Sequence, residues 1–172
     1  MNNHSLFKLA VFTALASSLG VWVETSYYVK TGRSQPIFIA QGKTITASIA
    51  NYKLSRQRWI QIDLSKQRLY AWDGDRPVYA ILVSTGKAST PTPTGVFAIQ
   101  TRHRYARMQG YDYDVPDVPY TMYYHRGYAI HGAYWHHRFG TPVSHGCTNV
   151  AVNHARWLFN WARVGTPVVV HD

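Results

Sequence analysis

The chain has 172 residues, of which 46% are hydrophobic and only 15% charged, so it can bury a core and wholesale disorder is excluded. Eighteen Lys and Arg against eight Asp and Glu give a net charge of +10, which predicts an anionic partner: nucleic acid, a membrane surface or an acidic wall polymer. The single cysteine, Cys147, excludes an internal disulfide framework and any Cys-rich zinc module.

Residues 1–24 read as a signal peptide or a membrane anchor. Residues 6–23 are mostly apolar, with Lys8 ahead of their centre and small residues (Ala16, Ser17, Ser18, Gly20) toward the end. The uncharged run from Leu9 to Val23 is slightly short for a full span, and tilt or bilayer thinning would accommodate it as an uncleaved anchor. Both readings export the rest of the chain to the periplasm or cell envelope, the second with membrane association through the N-terminus. Residues 25–57 are polar and basic without a clear period, and read as a linker. Residues 1–58 carry seven Lys and Arg against one acid, whereas residues 59–172 carry eleven against seven. Most of the basicity is therefore membrane-proximal, which favours membrane and wall over nucleic acid.

Residues 58–172 read as mainly β, a sandwich or barrel with one packed helix in the C-terminal region. Trp59 to Leu64 is apolar at alternate positions from Ile60 on. Arg68 to Trp72 follows, then Asp73-Gly74 as a hairpin turn and a return strand from Pro77 to Val83. Pro91 and Pro93 mark Ala88 to Thr94 as a loop, and Gly95 to Gln100 is another strand. Tyr128 to His131 predicts a short buried strand ending at His131-Gly132, and Pro167 to Val170 a closing one. Between them, Ala155, Leu158 and Ala162 share a helical face over about Val152 to Arg163, with Gly165 as a stop signal.

The sole cysteine lies in Ser144-His145-Gly146-Cys147-Thr148-Asn149. A thiol is a poor nucleophile, so an imidazole must take its proton or pair with the thiolate. His131 and His145 both qualify. Gly146 permits a tight turn before the cysteine, and amides around Gly146 and Cys147 could face a developing oxyanion. A buried, inert cysteine is the bland alternative, and a polar, His-flanked loop is a poor place to hide one.

These residues resemble the L,D-transpeptidase (YkuD-type) catalytic domain. That family carries a His, a spacer, then Ser/Thr-His-Gly-Cys, a hydrophobic residue and Asn or Arg. Here His131 is followed by a twelve-residue spacer and then Ser144, His145, Gly146, Cys147 and Asn149, with Thr148 in place of the hydrophobic residue. The likeness extends through Trp59 to Ser65, Val83 to Gly86 and Pro91 to Phe97. It implies peptidoglycan stem peptides as substrate, attack on the third-residue carbonyl of a tetrapeptide stem, release of the terminal D-Ala, and transfer of the acyl group to an amine. Water as acceptor would make the chain an L,D-carboxypeptidase, and lipoprotein attachment would use the same acyl-enzyme. Carried over, Cys147 is the nucleophile and His131 the general base and acid. Ser144 orients a histidine or the loop backbone, His145 and Gly146 shape the loop, His145 also holds substrate or assists the proton relay, and Gly132 is a further supporting residue. Asn149 fixes the turn after the nucleophile, and Tyr113 lines the acyl pocket. The resemblance implies no metal and no cofactor.

Three rivals make different predictions. A catalytic zinc would use some of the six histidines between His125 and His154, yet no carboxylate side chain occurs from Val118 through His171. Nucleic-acid binding would use Arg102, Arg104 and Arg107 interleaved with His103 and Tyr105, which also read as a solvated or substrate-holding loop. A non-catalytic wall-binding module would need neither His131 nor Cys147.

Overall fold

The computed structural model describes residues 37–172, with side chains from Thr44 onward; the predicted signal or anchor lies outside the described residues. The elements run α1 (Ile37–Leu54), β1 (Arg58–Asp63), β2 (Arg68–Asp73), β3 (Arg76–Leu82), β4 (Gly95–Ala98), β5 (Thr101–Gln109), β6 (Asp114–His125), β7 (Tyr128–Gly132), β8 (Thr148–Val150), α2 (Val152–Trp161) and β9 (Pro167–His171). The strands form two sheets, ordered β3-β2-β1-β9-β4 and β5-β6-β7-β8. Both sheets are open, so the architecture is a two-sheet sandwich with two helices, and the expected barrel-like closure is corrected. No helix among the described residues is long and apolar enough to cross a membrane.

One core joins both sheets and α2. The alternation predicted from Ile60 is realised: Ile60 and Ile62 enter this core with Leu69, Met122, Ile130 and Leu158. Ala155 and Leu158 form the buried face of α2, as their spacing predicts, while Ala162, expected on the same face, is buried just past the helix end in extended conformation. β9 buries three successive valines, Val168, Val169 and Val170, because it lies between β1 and β4 with both of its faces covered.

The second layer over the first sheet is α1, and it lies in the segment read as an unstructured basic linker. Its Ile45, Ile49 and Tyr52 pack on Trp59 and Val169. Trp59 is fully buried between Tyr52 and Trp72, with ring centroids 5.7 and 5.3 Å away, and its indole N–H donates to Gly74 O at 2.9 Å. Trp59 falls out of the Ile60–Ile62 alternation because it points to the opposite face, where α1 supplies the cover.

The second sheet contains a long hairpin that the sequence pattern did not reveal. β5 and β6 pair antiparallel from Thr101–Tyr123 to Gln109–Asp114. Most β5 side chains are exposed, so the strand lacks an apolar alternation. β6 holds Pro116 and Pro119, with Asp117 and Tyr120 at positive φ, and its register is irregular there. The basic residues read as one loop cluster belong to this hairpin and are divided among partners. Arg102 lies over the Phe159 ring at 4.2 Å and donates to its carbonyl, Arg104 faces Tyr120 and Arg107 pairs with Asp114. They are strand residues rather than a loop, two set over aromatic rings and one in an ion pair.

Candidate active site

Strand register brings the predicted pair together. β7 and β8 are parallel, with Ile130 opposite Thr148 and His131 opposite Asn149. Side chains two apart on a strand share a face. Ile130 therefore points into the core, while His131 lies on the outer face with Asn149 and, just ahead of β8, Cys147. His131, Cys147, Tyr113, Ser144, His145 and Asn149 all line one cavity of about 350 Å³. Trp135 and Arg138, on the segment after β7, line it too.

The His131 imidazole is buried, and Trp135 stacks on it at 5.7 Å. Its Nδ1 lies 3.2 Å from Gly132 O. A carbonyl only accepts, so Nδ1 carries the proton and Nε2 keeps its lone pair. Burial pushes the imidazole pKa down to about 4, against an upward pull from the Gly132 carbonyl. Burial likewise pushes the Cys147 thiol up to about 11, with the Ala129 amide pulling the other way. Both groups are thus neutral at pH 7, and Cys147 rests as a thiol. Its Sγ donates to Gly127 O at 3.7 Å, in the turn between β6 and β7, and makes no hydrogen bond to His131.

Ser144 organises the loop backbone. Its Oγ accepts the Gly146 N–H at 3.0 Å and donates to Cys147 O at 2.5 Å. The Gly146 amide is thereby occupied, whereas the Cys147 amide, the other one expected to face an oxyanion, has no hydrogen-bond partner among the described residues. Gly146 itself has φ +115°, and a Cβ there would lie 2.6 Å from the Tyr128 ring, so glycine is required. Thr92 holds the same turn from the loop before β4: its Oγ1 accepts the Gly86 N–H and donates to Gly146 O, at 2.9 and 2.8 Å. Thr92 was not singled out in the sequence reading, although it lies in the Pro91-Thr92-Pro93 segment that carried part of the resemblance.

Asn149 does not fix the turn after the nucleophile. It is buried in β8, exchanges backbone hydrogen bonds with Ser84, and its side-chain amide lies 2.8 Å from His136 Nε2. It ties the nucleophile strand to the segment after β7. Gly132 ends β7 where a Cβ would meet Pro119 Cγ at 2.9 Å, so its role is close packing. His145 points outward, with Nε2 3.1 Å from Asp112 Oδ2 and its ring stacked on Tyr113 at 4.7 Å. Tyr113 is half-buried above the thiol, and burial followed by the charge of Cys147 raises its pKa. Among the described residues no three His, Cys, Asp or Glu side chains converge as a metal site.

A model of the L,D-transpeptidase catalytic domain matches residues 57–170. The chain belongs to this family. It is 31% identical over 105 residues to L,D-transpeptidase 2 of Mycobacterium tuberculosis, covering 54% of this chain and 26% of that protein. It is also 31% identical over 99 residues to L,D-transpeptidase 1 of the same species, covering 51% of this chain and 39% of that one. The chain therefore spans well under half of these two relatives. Among solved structures, the Enterococcus faecium L,D-transpeptidase catalytic domain superposes with a TM-score of 0.62 at 29% identity. That match covers 68% of this chain and 98% of the other. An M. tuberculosis L,D-transpeptidase in complex with imipenem gives 0.63 at 25% identity, covering 66% and 58%.

Proposed function

We propose that this chain is an exported peptidoglycan L,D-transpeptidase in which Cys147 is the nucleophile and His131 its base. The observation that carries this reading is the polarity of His131: Nδ1 is committed to Gly132 O, which leaves the lone pair on Nε2, and the residue lines the cavity that Cys147 also lines. Reaction starts when Sγ turns from the Gly127 carbonyl toward a bound stem peptide. The sulfur bonds to the third-residue carbonyl carbon while its proton passes to His131 Nε2. The Cys147 amide stabilises the tetrahedral oxyanion. The C–N bond then breaks, and His131 returns the proton to the departing D-Ala amine. An acceptor amine attacks the thioester, gives its proton to His131, and leaves as an amide while Cys147 is reprotonated. Water in place of the amine would give L,D-carboxypeptidase cleavage by the same steps.

Ser144 keeps the Cys147 backbone in place, and Tyr113 with His145 forms the wall facing the donor. The apolar residues 6–23 support export and envelope location. Intact mass after incubation with a carbapenem or a stem tetrapeptide tests the reading. One acyl group is expected on Cys147 and none on Cys147→Ala. An unmodified wild-type protein with its fold intact would sink the proposal. Mass spectrometry of muropeptide products then separates amine from water as acceptor.

A further inference from the structure

One cation on the cavity wall has no partner among the described residues. Among the described residues that line it there is no carboxylate, and Arg138 is the only Lys or Arg. The acids that neighbour lining residues in sequence, Asp112 and Asp114, are engaged elsewhere, by His145 at the rim and by Arg107. The Arg138 guanidinium makes no ion pair or hydrogen bond among the described residues, although its backbone is held on both sides. Its N–H donates to His136 Nδ1 at 3.1 Å, and its carbonyl accepts from buried Ser84 Oγ at 2.7 Å. Gly140 N–H donates to Val83 O at 2.8 Å and holds the segment further on. A free guanidinium on a fixed backbone, at a cavity walled by aromatic rings, is arranged to meet a planar anion by paired hydrogen bonds.

We propose that Arg138 is a specificity-determining residue that binds a carboxylate of the donor stem peptide, so that the site selects donors ending in a free acid. This rests on the reading of Cys147 as the acylated residue. If acyl transfer expels a single terminal residue, the α-carboxylate of that residue lies only about 4 Å beyond the scissile carbonyl. A cation on the wall of so small a cavity can reach it while the carbonyl faces Cys147. Binding there fixes the chain end and sets which peptide bond meets the thiol. It also explains why the cavity lacks an acid, since a carboxylate neighbour would satisfy Arg138 and remove its attraction for the ligand. A carboxylate on the side chain of the third residue would present the same chemistry, so the donor panel separates the two.

The experiment compares wild type, Arg138→Met and Arg138→Lys on three tetrapeptide donors. The first has a free C-terminus and a lysine third residue, the second is its C-terminal carboxamide, and the third has a free C-terminus and a diamino-acid third residue bearing a side-chain carboxylate. Arg138 is exposed and its side chain holds nothing in place, so the variants keep the wild-type melting temperature. Wild type is expected to prefer the first donor to its carboxamide by about tenfold or more in kcat/KM. In Arg138→Met that preference collapses through KM with kcat nearly unchanged, and Arg138→Lys restores part of it. If Arg138 reads the side-chain carboxylate, its loss removes the preference for the third donor over the first and leaves the carboxamide ratio alone. Unchanged ratios in both comparisons for Arg138→Met overturn the inference. Failure of wild type to turn over any donor, or to form an adduct at Cys147, overturns the acyl-transfer reading instead.

Discussion

Gly86 and Gly146 meet with no room for a side chain between them: a Cβ on Gly86 would lie 2.9 Å from the Gly146 Cα. The same Cβ would sit 2.1 Å from Thr90 O and 2.7 Å from Thr92 N. Thr92 then joins the two glycines through its hydroxyl, and Thr90 Oγ1 donates to Ser144 O at 3.1 Å. The loop between β3 and β4 is thus the floor on which the turn before Cys147 rests.

Gly86→Ala must push this backbone apart. We expect a loss of about 1–3 kcal/mol in stability, as for other overpacked sites, together with slower acylation of Cys147. Thermal melting and time-resolved intact mass measure the two effects. Wild-type values for both would mean that the two loops separate freely.

Ser144→Ala removes the hydroxyl that joins Gly146 N–H to Cys147 O. A buried hydrogen-bond pair lost in this way costs about 1–3 kcal/mol. Since the displaced backbone carries the proposed nucleophile, acylation should fall by roughly a hundredfold for a shift of about 1 Å. Ser144→Thr, which keeps the hydroxyl, should recover part of the rate. Equal rates in Ser144→Ala and wild type would remove Ser144 from the positioning of Cys147.

The pKa shifts predict a broad pH plateau. His131 stays neutral until pH falls to about 4, so kcat/KM for acylation should hold through mild acid and then drop about tenfold per unit below that value. Stability follows the same groups. The His131 pKa is lower in the folded protein, so its contribution is complete above the ordinary 6.5 and is lost as pH falls toward 4, by up to roughly 3 kcal/mol. The Cys147 pKa is raised, so its contribution is complete below the ordinary 9.0 and is lost as pH rises toward 11. Denaturant melts across this range should flatten on the acid side in His131→Gln and on the alkaline side in Cys147→Ala. Unchanged slopes in both variants would contradict the burial of these groups.

Trp59→Ala should empty the space between Tyr52 and Trp72 and leave Gly74 O without its indole donor. A large buried aromatic lost from a core costs about 3–5 kcal/mol. Trp59 lies on the far face of the first sheet from the shared core, so acyl-adduct formation below the melting transition should persist. A milder loss would mean that α1 closes onto the gap.

The local signals are legible residue by residue. Ile60 and Ile62 alternate because one face of β1 meets the core, and Ala155 and Leu158 recur at helical spacing for the same reason. The β5–β6 hairpin escapes this logic. Its first strand exposes most of its side chains, and its second is interrupted by two prolines and two residues at positive φ. α1 escapes it too, because Ile45, Ile49 and Tyr52 gain their partner only when Trp59 and Val169 arrive from β1 and β9.

For the site, the amino-acid order alone supplied the proposed reacting groups. A lone cysteine after His145-Gly146, with His131 ahead of it, specifies thiol chemistry because thiol and imidazole are the functional groups that chemistry needs. Their state and orientation were decided by tertiary structure. Gly132 O selects the proton on Nδ1, Ser144 Oγ takes the Gly146 amide and leaves that of Cys147, and Asn149 reaches His136 instead of closing a turn. Each of these depends on where a hydrogen bond is satisfied and how deeply a group is buried, and both are properties of strands brought together in space. The free guanidinium of Arg138 is of the same kind. The sequence supplies the charge, and the fold leaves it without a partner among the described residues, on the cavity that Cys147 also lines.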